Sequence, residues 1–131
     1  MNGKTIIDRE KGKLRLLVVD DEPNVCECVR LILSLDGHAV VTAHSGRAAL
    51  EKFQTEQFDL VCTDYSMPGM RGDQLAVAIK SLAPDQPIIM ISGIASTMSI
   101  PAGVDKIIGK PFMPAELRQA VTQLTRCEAT S

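Results

Sequence analysis

The sequence predicts an α/β fold: a doubly wound, five-stranded parallel sheet with helices on both faces. Three observations carry that prediction. Short Val/Ile/Leu runs alternate with amphipathic stretches of helical period along almost the whole chain. The runs are nearly continuous in apolar residues, as strands buried on both faces are. Four of them also end on a polar or charged residue: Leu14–Val19 on Asp20-Asp21, Leu60–Thr63 on Asp64, Ile88–Ile91 on Ser92 and Val104–Gly109 on Lys110. In open α/β sheets ligands bind beyond the carboxyl ends of the strands, so these side chains are expected to converge.

Residues 1–13 form a charged leader, expected to be flexible, and 128–131 a short tail; the domain proper spans 14–127. Strand one is expected at Leu14–Asp20. A helix follows with Pro23 in its first turn, where a missing N–H costs little, and with Val25, Val29, Ile32 and Leu33 on one face. Gly37 after Asp36 is the expected C-cap. Ala39–Thr42 makes strand two, and Ser45 should cap the helix holding Ala48, Ala49, Leu50 and Phe53. Strand three covers Phe58–Thr63. The stretch from Asp64 to Gly72, with Met67-Pro68-Gly69, is a loop, and Asp73 is expected to cap the helix carrying Leu75, Ala76, Ile79 and Leu82. Pro84 and Pro87 bracket the turn into strand four, Ile88–Ile91, and strand five is Val104–Ile108. The last helix begins near Pro114 and buries Leu117, Val121 and Leu124.

Composition narrows the function. A length of 131 residues suits one domain, and a hydrophobic share of 45% with 23% charged residues is globular. A net charge of −2 gives no electrostatic reason for direct binding to nucleic acid or an anionic membrane. The leader lacks the apolar core of a secretory signal and no stretch is long enough to span a bilayer, so a cytoplasmic location is expected. Cys26 and Cys28 are two apart on a helix and face different ways, so with Cys62 and Cys127 they are expected to be reduced small hydrophobes. His38 and His44 are expected at the surface, and Met67, Met70, Met90 and Met98 as core or loop fillers.

Charge gives the strand-end residues their chemistry. Carboxylates crowded together repel by about 4 kcal/mol per pair at 4 Å and an effective dielectric near 20. Such crowding requires a cation. Oxygen donors without thiolates select a hard ion such as Mg²⁺, and Lys110 would add a further positive charge.

Val19-Asp20-Asp21-Glu22-Pro23, Asp64 with Tyr65-Ser66-Met67-Pro68-Gly69, Ser92-Gly93 and Lys110-Pro111-Phe112 together resemble the receiver domain of two-component response regulators, over roughly residues 14–126. The resemblance implies the flavodoxin-like strand order 2-1-3-4-5. It also implies that Asp64 accepts a phosphoryl group from a phosphohistidine on a sensor histidine kinase or a histidine phosphotransfer protein. Asp20, Asp21, Asp64 and the backbone carbonyl of Ser66 would hold Mg²⁺. Lys110 would offset charge on the phosphoryl oxygens, Ser92 would donate its hydroxyl to one of them, Gly93 would leave room for the group, and the Lys110–Pro111 bond would be cis. A receiver accepts and slowly releases phosphate without acting as a turnover enzyme. It is expected as a monomer or weak dimer, either free-standing or taken from a hybrid kinase. The alternatives weighed are an aspartyl-phosphate-forming phosphatase on a Rossmann-like sheet and a flavodoxin-like cofactor protein. Asp20, Asp21 and Glu22 stand where a phosphate cradle would need glycines and backbone N–H groups.

Two departures from the family pattern stand out. Three residues before the lysine, where receivers usually carry a swinging aromatic, this chain has Ile107, which is β-branched and stiff. Only 18 positions separate Ser92 from Lys110, about one helical turn fewer than usual, and the intervening Gly93–Pro101 segment is uncharged. The fourth helix is therefore expected to be short or irregular, and mobile.

Overall fold

Five parallel strands and four α-helices alternate along the chain in a computed structural model that describes residues 13–125. The order is β1 (Arg15–Val19), α1 (Pro23–Ser34), β2 (Ala39–Ala43), α2 (Gly46–Thr55), β3 (Leu60–Asp64), α3 (Gly72–Leu82), β4 (Ile88–Ser92), a 3₁₀ turn (Ala95–Thr97), β5 (Lys106–Gly109) and α4 (Pro114–Thr125). The strands lie in the order β2-β1-β3-β4-β5, all neighbours parallel. This is the predicted fold class. Residues 1–12, most of the predicted leader, and 126–131, with Cys127 and the tail, lie outside the described residues.

Strand alternation divides the core in two. Leu16, Val18, Leu60, Cys62, Ile89 and Ile108 point to one face, where Val29 and Leu33 of α1 and Leu117 and Val121 of α4 cover them. Leu17, Val19, Val61, Ile88 and Met90 point to the other, beneath Ala49 of α2 and Leu75, Ala76 and Ile79 of α3. Arg118 on α4 forms a two-pronged ion pair with Asp36 beyond the end of α1, at 2.7 and 2.8 Å, clamping the two helices of the first face at one end.

Register sets the rim. Val19 pairs with Ala43 and Thr63, Asp64 with Ile91, and Ser92 with Gly109. The residues just after β1 and β5 thus lie level with the ends of β3 and β4.

Several boundaries differ from expectation by a residue or two. β3 starts at Leu60 and includes Asp64, so the carboxylate belongs to the strand and not to the loop. β5 starts at Lys106 because the N–H of Val104 is taken by Pro101 in a turn, at 3.1 Å. The C-cap of α1 is Leu35; Gly37 lies two residues further on, with φ +88°, where its N–H meets the carbonyl of Ser34. Asp73 does not cap α3. The cap is Arg71, whose N–H is received by the Gln74 side chain at 2.9 Å, while Asp73 sits inside the first turn and pairs with the Arg71 guanidinium. Leu82 is exposed at the end of α3. Ser45 caps α2 as predicted, accepting the N–H of Ala48 at 3.0 Å. The expected short fourth helix is the single 3₁₀ turn Ala95–Thr97.

The histidines divide. His44 is exposed, whereas His38 is half-buried and accepts the N–H of Leu14 at its Nδ1, 3.0 Å away, which corrects its assignment to the surface. Cys26 and Cys62 are buried free thiols; Cys28 is exposed, facing away from Cys26 as the spacing of those two predicted.

Candidate functional site

The carboxyl rim of the sheet gathers Asp20, Asp21, Asp64 and Lys110 from three separate chain segments. Asp64 ends β3, the central strand, and is 7% exposed. Asp20, directly after β1, is 3% exposed; its N–H continues the ladder to Ala43 and its Oδ1 receives the N–H of Glu22 at 2.9 Å. That second bond turns the chain so that α1 can begin at Pro23. One carboxylate oxygen each from Asp20, Asp21 and Asp64 lies within 4.8 Å of the others.

Lys110 reaches into this group. Its Nζ is 2.9 Å from Asp64 Oδ1 and 3.6 Å from Asp20 Oδ2. Lys110 follows β5 and its N–H bonds to the Ser92 carbonyl at 2.9 Å, so the end of β4 sets where its side chain starts. The Lys110–Pro111 bond is cis, as the resemblance implied.

Electrostatics marks the site as short of positive charge. Burial raises the Asp20 carboxyl above its ordinary value and the nearby Asp64 charge adds to that, against the lowering effect of the Glu22 N–H and the Lys110 ammonium. For Lys110, burial favours the neutral amine, but the hydrogen bond to Asp64 and the charges of Asp20 and Asp64 outweigh it and raise its pKa. One ammonium faces three carboxylates. The donors are oxygens, and the two nearby thiols are held protonated by burial, Cys26 at about 11 and Cys62 at about 12. Such a donor set fits a hard divalent cation of the Mg²⁺ kind and suits thiophilic metals poorly.

Ser92 ends β4, the strand next to β3. It is 1% exposed, one residue beyond Ile91, which pairs with Asp64, and its Oγ accepts the N–H of Ile94 at 3.1 Å. A Cβ added at Gly93 would meet nothing within 4 Å, which leaves the open space expected there. Ser66 is exposed in the loop two residues past Asp64.

One residue that matters to the site escaped the sequence reading. Gly72 opens α3 and passes beneath Asp64: its N–H bonds to the Tyr65 carbonyl at 2.9 Å, and a Cβ there would lie 2.1 Å from the backbone oxygen of Asp64. Its signal in the sequence was only a glycine after Gly69, read as loop material.

Comparison with known proteins agrees with this geometry. The family model of the response regulator receiver domain matches residues 16–122. The probable transcriptional regulator ycf27 of Cyanophora paradoxa is 35% identical over 121 residues, covering 89% of this chain and 50% of that protein. Response regulator MprA of Mycobacterium ulcerans is 33% identical over 117 residues, covering 86% of this chain and 50% of that protein. The chain thus spans about half the length of these curated relatives. Among solved structures, response regulator TrrA from Thermotoga maritima, in complex with Mg(2+)-BeF, is 36% identical with a TM-score of 0.78, covering 84% of this chain and 97% of that one. A CheY-like response regulator receiver domain protein from Methanospirillum hungatei is 31% identical with a TM-score of 0.81, covering 89% of this chain and 98% of that one. With the family model matched over residues 16–122 and the fold shared with solved members, this chain belongs to the response regulator receiver domains of two-component signalling.

Proposed function

We propose that Asp64 is the phosphoacceptor, and the observation that carries this is the Lys110 ammonium bridging Asp64 and Asp20 on the strand-end rim. The donor is a phosphohistidine on a sensor histidine kinase or a histidine phosphotransfer protein. An Asp64 carboxylate oxygen attacks phosphorus in line, the P–N bond to the donor histidine breaks, and the imidazole leaves with the electron pair and takes up a proton.

Most of the work is electrostatic. Lys110 already stands at the acceptor carboxylate and offsets charge as it spreads onto the phosphoryl oxygens. Asp20, Asp21, Asp64 and the Ser66 carbonyl would hold Mg²⁺, which when bound supplies the charge compensation the three carboxylates lack. The Ser92 hydroxyl has a proton left to donate to a phosphoryl oxygen while its oxygen keeps the N–H of Ile94. The chain acts as a carrier that loses phosphate slowly, with no multiple turnover and no direct contact to nucleic acid. A cytoplasmic location and a monomeric or weakly dimeric state belong to the same proposal. No described helix is long and apolar enough to cross a membrane.

Incubation with acetyl phosphate and Mg²⁺ tests the assignment by intact mass. A single phosphoryl adduct is expected in the wild type and none in Asp64→Ala. Undiminished labelling of Asp64→Ala would refute it.

A further inference from the structure

Every residue of β3 is buried, and at Thr63 the strand carries a hydroxyl where packing asks for none. By strand alternation its side chain shares the face of Val61, the side that α2 and α3 cover, and the residue is 1% exposed. Valine has nearly the same shape and would fill that space without a polar atom. A buried hydroxyl costs free energy unless it finds a partner. Thr63 Oγ1 finds one in the next residue, donating to the backbone carbonyl of Asp64 at 3.0 Å. That bond ties no second element to β3, so its reach is local: it holds Asp64.

The chain leaving the strand is fixed at successive points. The Asp64 carbonyl takes the Thr63 hydroxyl, the Tyr65 N–H of the same peptide donates to the Ile91 carbonyl at 3.0 Å, and the Tyr65 carbonyl receives the N–H of Gly72 at 2.9 Å. Both peptides between the Asp64 and Ser66 α-carbons are thus tied down. The bonds to Ile91 and Gly72 run from backbone to backbone, and most substitutions would leave them in place. The bond from Thr63 is the hold among them that a side chain makes. Gly72 crowds the same Asp64 oxygen from the α3 side, so that oxygen lies between a donor and a wall.

The carbonyl and the side chain of Asp64 branch from one α-carbon, so a tilt of the peptide turns the carboxylate. Transfer in line is sensitive to such turns, since a misplacement of about 1 Å can cost about 100-fold in rate. Resting on the phosphoacceptor assignment above, we propose that Thr63 is a positioning residue for phosphoryl transfer: its hydroxyl fixes the Asp64–Tyr65 peptide, and with it the direction in which the Asp64 carboxylate meets the phosphoryl group.

The test compares Thr63→Val, Thr63→Ala and Thr63→Ser in the full chain. Phosphoryl uptake from acetyl phosphate with Mg²⁺ is followed by intact mass and corrected to the folded fraction by urea denaturation. Loss of the hydroxyl should slow uptake about tenfold in Thr63→Val and Thr63→Ala, whereas Thr63→Ser, which keeps the donor, should stay within about twofold of wild type. Leu33→Val, a core truncation near the end of α1, controls for lost stability and should take up phosphate at the wild-type rate. A second readout needs no phosphate. Tyr65 is the sole tyrosine of a chain without tryptophan, so its emission reports on the peptide after Asp64 as Mg²⁺ is added. The Mg²⁺ midpoint should rise about tenfold in Thr63→Val and return in Thr63→Ser. Wild-type uptake in folded Thr63→Val or Thr63→Ala overturns the inference. So does an unchanged Mg²⁺ midpoint in Thr63→Val, a Thr63→Ser variant as slow as Thr63→Val, or a Leu33→Val control slowed as much. In each of those cases Asp64 stays the acceptor. Undiminished labelling of Asp64→Ala is a separate result: it removes the acceptor, and the role of Thr63 falls with it.

Discussion

Gly72 lies directly beneath the backbone carbonyl of Asp64, with no room for a side chain between them. The start of α3 therefore packs against the last residue of β3, and the position of the Asp64 backbone at the rim depends on a missing methyl group.

Gly72→Ala would place a carbon 2.1 Å from the Asp64 oxygen, so backbone must shift. The expected cost is about 3 kcal/mol, at the upper end of ordinary overpacking, measurable as a lower urea midpoint. Phosphoryl uptake should fall in the folded fraction as well, because the displaced atom belongs to Asp64, the proposed acceptor. Wild-type stability in this variant would show that the contact is not tight.

Asp21→Asn should act in opposite directions with and without metal. Removing one of three like charges relieves repulsion in the metal-free protein, a gain of about 1 kcal/mol at most for a solvated rim position. The same change should weaken Mg²⁺ binding, and with it the stabilisation of about 2.7 kcal/mol expected when Mg²⁺ stands at 100 times its dissociation constant. Melting curves with Mg²⁺ and with a chelator measure both effects. A variant that gains as much from Mg²⁺ as the wild type excludes Asp21 as a ligand.

His38 should make stability depend on pH. Burial lowers its pKa below the ordinary 6.5, against the opposing charges of Asp36 and Asp59. In the interval between the folded and ordinary values the unfolded chain binds more protons, so stability is full above about pH 6.5 and declines as pH falls through the lowered folded value. Protonating Nδ1 would also cost the bond from Leu14 N–H. A lower melting temperature at about pH 5.5 than at about pH 7.5 is expected, with a flatter profile in His38→Asn. Identical profiles would remove the histidine from the account.

Ser45→Ala should destabilise by about 1 kcal/mol, the usual loss for an N-cap, because the N–H of Ala48 loses its acceptor. A chemical denaturation curve with an unchanged slope checks it.

The strands were legible because buried parallel β-structure leaves runs such as Leu14–Val19 and Ile88–Ile91 that few other elements produce. The rim residues were legible because each such run stops at a polar group, and the structure brings Asp20, Asp64 and Lys110 into contact as expected. What stayed hidden was what local pattern does not encode. Asp73 has the chemistry of a cap, but Arg71 takes that position and pairs with it. His38 looked like a surface residue because its partner, Leu14, lies 24 positions away. Gly72 looked like loop filler because the atom it avoids is on another element.

The ion triad also bears on how the molecule is made. Its carboxylates follow β1 and end β3, but its ammonium follows β5, so a growing chain holds the repulsion long before it holds the ammonium. Docking β5 beside β4 adds the last strand and brings Lys110 to the acidic pair in one event. The rim then gains its ammonium only with the last strand, and a chain truncated before Lys110 keeps Asp20 and Asp64 without that partner.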